Sequence, residues 1–557
     1  DACRRRAGGE PFGFAFVSQK ITIGARRQVN AVRTAPRRPR AGFEQGRSVP
    51  IFHSKIRPFW TGVAVFGAIF AVLFADRAGW IDRHRFQAAL PAANAESISE
   101  RDTWMNIFQN NRKIGFSHAA LSRDEAGLLL QQTLFMRINT MGMVYGIHLK
   151  TEGRLRSDMT LAAFRFSMNS GRFGFAASGS VHDEHMVIQT ESAGERRTVK
   201  IPLASRPYLA AGLFDALWAA GPVPGFRRVI PVFDPATMGQ EPVTVEVLGT
   251  DTLSVMGESV KAWKVAVDFK GVHQRAWIGE GGEVLRQEGF IGITMEKTDR
   301  PTALHGLPVQ ASTDMTEAVS LPSNVVFERP QDLQQLTVQI SGVDFSRLGL
   351  DGGRQRLDGN RLHIEKETLS APATPASERK IPQALRSYLA PTPLIQSDHP
   401  RIAALAKEVT GRAKTPLDVV ERLTAWMQAN IEPRPVISMP DALATLEHRR
   451  GDCNEHAVLM AALARAAGIP AQIEAGLVYL KSRFFYHAWN RVYIGRWITV
   501  DALFGQVPAD VTHIRLTKGT PERQLDLISV IGRVRLQVLS ADGAAAAPTD
   551  PKPEPET

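Results

Sequence analysis

Residues 449–470, Arg-Arg-Gly-Asp-Cys-Asn-Glu-His-Ala-Val-Leu-Met-Ala-Ala-Leu-Ala-Arg-Ala-Ala-Gly-Ile-Pro, leave the chain little conformational choice. From Cys453 to Ala467 they form a helix pattern, with Ala457, Met460, Leu463, Ala464 and Ala467 along one apolar stripe. Gly468 stands where a C-terminal cap belongs, and Pro470 follows it. At the front, Asp452 can cap the helix while Glu455, three residues on, reaches back. Cys453 therefore falls in the first helical turn. There the helix dipole and the free N–H groups stabilise a thiolate and can hold an oxyanion. A structural cysteine belongs mid-helix on the apolar stripe, so the position points to a nucleophile.

A thiolate nucleophile needs a base, and the base needs an orienting group. Residues 484–506 read as two strands around a turn at Gly495-Arg496, with His487 on the first strand and Asp501 at the second. A hairpin brings the two together, and the carboxylate would fix the imidazole tautomer. Register decides whether they share a face, because one step of slip flips a strand. A two-residue loop puts His487 and Asp501 on opposite faces. A three-residue loop, Ile494-Gly495-Arg496, sets Asp501 opposite Trp489 on the His487 face. The pairing therefore requires the three-residue loop or a bulge.

Four segments carry a family resemblance: Gly451-Asp452-Cys453-Asn454-Glu455-His456-Ala457, Ala464–Ala471, Tyr486-His487-Ala488-Trp489-Asn490 and Trp497-Ile498-Thr499-Val500-Asp501. In this order they resemble the transglutaminase-like superfamily of papain-type cysteine enzymes, over residues 395–535. The resemblance implies an α+β core in which the helix bearing the cysteine packs on an antiparallel sheet. It also implies Cys453 as nucleophile, His487 as base and Asp501 as orienter. Two positions depart from the usual pattern. Ala502 stands where many relatives have Pro, and Arg491 stands where many have an acidic residue. Trp426 and Gln428 are the candidates for a side-chain oxyanion donor, with core packing the simpler reading for Trp426.

Upstream, residues 100–300 alternate as strands do, in Gly127–Thr140, Val243–Leu248, Val260–Phe269, His273–Ile278 and Val284–Glu288, with a turn at Gly279-Glu280-Gly281-Gly282. One helix is expected over Arg206–Ala220, ended by Gly221-Pro222. Residues 260–296 resemble the half-barrels of bacterial lipoprotein-carrier-like domains, although a plain antiparallel sheet is the simpler reading. Residues 301–367 read as further strands and 368–383 as a Ser/Pro/Thr/Ala linker. Helical spacing returns near His399 and over Pro416–Asn430, and residues 541–557 read as a disordered tail.

The formal charge of +11 is not spread over this body. Residues 1–58 hold 13 of the 67 basic side chains and 3 of the 56 acidic ones, a net of +10. That arm reads as disordered, and no function is assigned to residues 1–48. No base-reading motif or stacking aromatics accompany its arginines, so nucleic acid is not expected as a partner. Phe59–Ala75 is an uncharged apolar run, long enough as a helix to cross a bilayer at about 25 Å. Lys55 and Arg57 precede it, which places the N-terminus in the cytoplasm and the main body in the periplasm of a bacterium. A cleaved signal peptide is the alternative to an anchor in the inner membrane. Either topology separates Cys3 from Cys453 and leaves Cys453 a lone exported thiol.

The expected reaction is acyl transfer through a thioester on a protein or peptide substrate, including components of the cell envelope, with no cofactor. Hydrolysis, deamidation and crosslinking all remain open. Two rivals stand beside it. One is a metal site built from Cys453, His456, His487 and Asp501, since zinc accepts such a mixture. The other is a non-catalytic scaffold or binding module of the same fold. His448 and His513 read as surface or satisfied polar residues, and Asp441 and Glu447 as solvated.

Overall fold

The computed structural model describes residues 90–91 and 98–542, less 126, 172, 193, 222, 290, 308–313, 370–380, 520–526 and 528–529. The basic arm, the apolar run 59–75 and most of the C-terminal tail and the linker lie outside the described residues. Among the described residues, no helix is long and apolar enough to cross a membrane.

Residues 101–298 build one sheet of 15 strands, two runs of sequential neighbours joined where the first strand meets the last. The first strand, Arg101–Gln109, pairs on one side with Arg112–Asp124 and on the other with the last, Ile293–Thr298. Neighbours are antiparallel except for Tyr208–Leu209, which runs parallel to Arg227–Asp234. The strands alternate in burial as two-period patterning requires, for example over Leu161–Ser170 and Val243–Val247. Leu213, Ala216 and Leu217 of a short helix join one core with Leu130, Leu155, Ile188, Val232 and Val245 from both halves of the sheet. The sheet thus folds around the helix and buries its inner face on it.

That helix is shorter than its sequence suggests. It spans Leu213–Ala219 after a 3₁₀ turn at Ala210–Gly212. Pro207 disfavours helix at Arg206, and Tyr208 is drawn into the parallel pairing with Val232. Its end is where the glycine places it: Gly221 adopts φ +69° and donates its N–H to the Trp218 carbonyl.

The second sheet carries the candidate site. Its path runs Leu321–Pro322, Arg483–Tyr493, Ala471–Leu480, Ile514–Gly519, and Trp497–Val500 adds to Arg483–Tyr493. Helices Pro400–Thr410, Pro416–Asn430 and Ala442–His448 precede the Cys453–Ala466 helix. Asn490 Nδ2 ties that last helix to the sheet by donating to the Ala457 carbonyl at 2.9 Å. A third sheet joins Gln335–Ser341, Gln355–Asp358 and Arg361–Glu365 to Arg535–Ala541 from the chain's other end.

One feature of the Cys453–Ala466 helix differs from its sequence reading. It is buried on every face from Glu455 to Arg465, not along a single stripe. Val458, Leu459, Ala461 and Ala462 are as apolar as the stripe, and three helices and the sheet enclose them. Each fully buried leucine here, Leu459 and Leu463, contributes about 1.5–3 kcal/mol.

The two regions share apolar packing, Leu394 lying in the core of the first sheet with Ile437 and Met439 against it, and they also meet through polar contacts. Arg197 pairs with Asp398 at 2.8 Å, and Glu195 pairs with both His399 and Arg401. Tyr145 OH donates to the Pro435 carbonyl at 2.5 Å. Gly142 N–H donates to Asp314 at 2.6 Å.

Candidate active site

The helix start is built as its sequence dictates. Asp452 accepts the Asn454 N–H at 2.8 Å, and Glu455 accepts the Asp452 N–H at 3.0 Å, closing a capping box. The approach is tight: a Cβ on Gly451 would stand 2.3 Å from Glu455 Cβ. The far end closes as a Schellman motif, with Ile469 N–H on the Ala464 carbonyl, Gly468 N–H on that of Arg465, and Gly468 at φ +77°. Cys453 is fixed at the first turn between these ends, half-buried. The Ala488 N–H hydrogen-bonds its sulfur, which seats the thiol against the strand residue that follows His487.

The hairpin takes the three-residue form. Tyr493 pairs with Trp497, and the Ile494 N–H donates to the Arg496 carbonyl. His487 and Asp501 consequently share a face, and His487 Nε2 lies 2.6 Å from Asp501 Oδ2. A carboxylate accepts, so Nε2 carries the proton and Nδ1 is left to exchange one. The Phe504 ring stacks on the imidazole at 4.9 Å and 12°, fixing its plane. Asp501 is itself held. Its Oδ1 accepts the Leu503 and Phe504 N–H groups at 2.8 and 3.0 Å, and its backbone bridges Gln506.

His513 lies deeper than a surface histidine and belongs to this cluster. Its Nε2 lies 2.9 Å from Asp501 Oδ2 and its Nδ1 3.2 Å from Asp510 Oδ1. It is the polar partner that sequence left unplaced. Its signal was local: Asp510 accepts the Thr512 N–H and hydroxyl in a turn that presents the following His to the same carboxylate.

Charge in this cluster is strongly biased. Burial alone would raise the Asp501 carboxyl, but His487 and His513 beside it hold it well below the usual carboxylate range. Asp510 is buried too, and His513 keeps it low. Burial opposes a charged His513, yet the two carboxylates carry it up to about 9. By contrast, burial pushes the Cys453 thiol up, and the Asp452 and Glu455 carboxylates add to this against the Ala488 N–H. Local helix chemistry therefore does not by itself yield the depressed thiol that the first-turn position suggests.

These shifts predict a bell in stability against pH. Asp501 and Asp510 stabilise the fold above their ordinary range near pH 4, and this contribution is lost as pH falls through their depressed values. His513 stabilises fully below its ordinary 6.5, and its contribution is lost as pH rises through about 9. Melting temperature should peak between these limits. Differential scanning calorimetry of wild type and His513→Gln checks this, the variant losing most of the alkaline decline.

Other candidates fall elsewhere. Gln428 donates both of its contacts to the Ala502 and Leu503 carbonyls, at 2.6 and 2.7 Å, so its amide braces the Asp501 loop. Trp426 packs against the helical core under the Arg449 guanidinium. His456 is buried, with Nδ1 2.8 Å from the Asp452 carbonyl, and burial lowers its pKa. The metal-like group among the described residues is His487, Asp501 and His513, not the set with Cys453 and His456. Hydrogen bonds among its members already engage the facing ligand atoms.

Asp441 is buried rather than solvated. It caps Ala442–His448 through the Ala444 N–H and accepts Gln396 at 2.5 Å. Glu447 is exposed and pairs with Arg401. His448 sits edge-on to Phe173. Arg491, the basic departure, lies over Trp497 at 4.7 Å and 3.9 Å from the buried Glu474, so that carboxylate takes up its charge.

Residues 403–502 match the family model of the transglutaminase-like superfamily. No curated protein matches the chain. Among solved structures, a proposed cysteine protease from Cytophaga hutchinsonii is 20% identical, covering 40% of this chain and 92% of its own, at a TM-score of 0.26. A beta-barrel-like protein of a domain of unknown function from Brucella abortus is 11% identical, covering 36% and 99%, at 0.28. The periplasmic domain of TgpA from Pseudomonas aeruginosa is 17% identical, covering 33% and 93%, at 0.20.

Proposed function

We propose, for a chain that carries a transglutaminase-like core over residues 403–502, that it is a cysteine enzyme acting on amide or carboxamide bonds through a thioester. The observation that supports this best is the His487–Asp501 pair at 2.6 Å, on the strand whose next residue, Ala488, hydrogen-bonds the Cys453 sulfur. In this reading Cys453 is the nucleophile, His487 the base and Asp501 the orienter. His487 Nδ1 takes the thiol proton as sulfur attacks the carbonyl carbon. The first-turn N–H groups of the Cys453–Ala466 helix hold the developing oxyanion. His487 then returns the proton to the leaving amine or ammonia as the C–N bond breaks, leaving the thioester. Water attacking the thioester gives hydrolysis or deamidation, and an amine gives acyl transfer. Protein or peptide substrates of the cell envelope fit the reading of Phe59–Ala75 as an inner-membrane anchor with the body in the periplasm.

Burial raises the thiol, so in this reading attack on the carbonyl requires the thiol proton to be removed by His487. An alkylating electrophile applied across pH tests this. Wild type should label at Cys453 with a rate that rises with pH, Cys453→Ala should not label, and His487→Ala should label at least tenfold more slowly near neutrality. Labelling indifferent to His487 would favour the non-catalytic scaffold.

A further inference from the structure

We propose that His513 is a positioning residue for the triad: clamped between Asp501 and Asp510, it locks the Asp501 carboxylate onto His487. This rests on the cysteine-enzyme reading above and extends it by two groups.

The argument is geometric. Asp501 Oδ2 receives two imidazole N–H groups, from His487 at 2.6 Å and from His513 at 2.9 Å. Asp501 Oδ1 is occupied by two backbone N–H groups of its own turn. The carboxylate thus has contacts on both oxygens and little freedom to rotate away from His487. His513 is equally constrained. It is fully buried, and both ring nitrogens face carboxylates, so both are donors and the ring is held as an imidazolium. Asp510 is fixed in turn by the Thr512 N–H and hydroxyl and by Gln506 Nε2. Arg354 holds the ends of this turn through the Ala509 and His513 carbonyls. His487, Asp501, His513 and Asp510 therefore form one ordered line that ends on a braced turn.

The groups facing His513 from each side are few. Asp501 comes from its loop, Asp510 from its own turn, and His487 from the neighbouring strand with ring centres 5.8 Å apart. Trp489 and Phe504 close the remaining faces with apolar rings. His487 in turn faces Asp501, His513 and, from the helix, His456. The positive charge of His513 is thus the nearest counterweight to Asp501. It opposes the Asp501 charge on the same oxygen that His487 faces and so holds that carboxylate in place beside the base.

Three variants test the proposal. His513→Gln keeps an Nε2-type donor towards Asp501 and removes the charge. Asp510→Asn keeps the acceptor for Thr512 and removes the second carboxylate without touching Asp501. His513→Ala removes the donor. The readouts are the pH profile of Cys453 alkylation, kcat and KM on an amide substrate, and ¹⁵N NMR of the histidine rings. In His513→Gln, which removes a positive charge beside the site, the rise of labelling with pH should move to higher pH, and in Asp510→Asn it should also leave its wild-type position. In His513→Ala kcat should fall about tenfold to a hundredfold with KM little changed. The ¹⁵N shifts should report His513 protonated on both nitrogens at pH 7.5 in wild type. Circular dichroism at each pH corrects for the folded fraction.

Wild-type labelling with profiles that coincide in all variants, or a neutral His513 at pH 7.5, overturns this proposal alone. Absence of labelling in wild type overturns the enzyme reading, and the proposal falls with it.

Discussion

Cys453→Ala is expected to bring amide turnover to background, a loss of about a millionfold in kcat, the scale seen when a triad loses its nucleophile. The substitution removes one sulfur from a helix start held by other atoms. The capping box joins Asp452, Asn454 and Glu455, and the Schellman motif closes the far end, so the fold should survive. Circular dichroism and the melting temperature should match wild type within a few degrees. A variant that stays folded and keeps turnover would remove Cys453 from the chemistry.

Asp501→Asn should cost about 10⁴-fold in kcat, for a different reason. Asp501 Oδ2 faces two N–H donors, those of His487 and His513. An asparagine that keeps its oxygen for the Leu503 and Phe504 N–H groups must turn its amide N–H₂ towards both imidazoles. Donor then meets donor, and His487 is driven to the tautomer with its proton on Nδ1, where it cannot accept one from the thiol. The loss should appear in kcat, with KM changed by no more than a few-fold, in steady-state assays on the folded fraction. A change confined to KM would mean that Asp501 shapes binding and not the base.

Much of this site was legible because its determinants are local or a matter of parity. The capping box needs only Asp452 and Glu455, and the helix end only Gly468 and Pro470. The His487–Asp501 pairing reduces to counting residues around Ile494-Gly495-Arg496. What stayed hidden depends on contacts distant in sequence. Asp441 looks solvated in its own segment, and only Gln396 and the helix it caps explain its burial. His513 looks isolated until the Asp501 turn folds back beside it. The Cys453–Ala466 helix reads as one-sided when its other apolar residues are weighed without the three helices that cover them. The folding of the 15-stranded sheet around Leu213–Ala219 was likewise beyond strand patterns, which fix the face of a strand but not the curvature of the sheet.

The covalent step is the centre of the account, and intact-protein mass spectrometry reads it directly. A peptide amide substrate is mixed with wild type, quenched in acid within the first turnovers, and the protein is weighed and mapped. The account predicts an added acyl mass on the peptide containing Cys453, released by hydroxylamine, absent from Cys453→Ala and scarce in His487→Ala. Turnover by wild type with no acyl mass on Cys453 at any quench time, or the same adduct in Cys453→Ala, would contradict it.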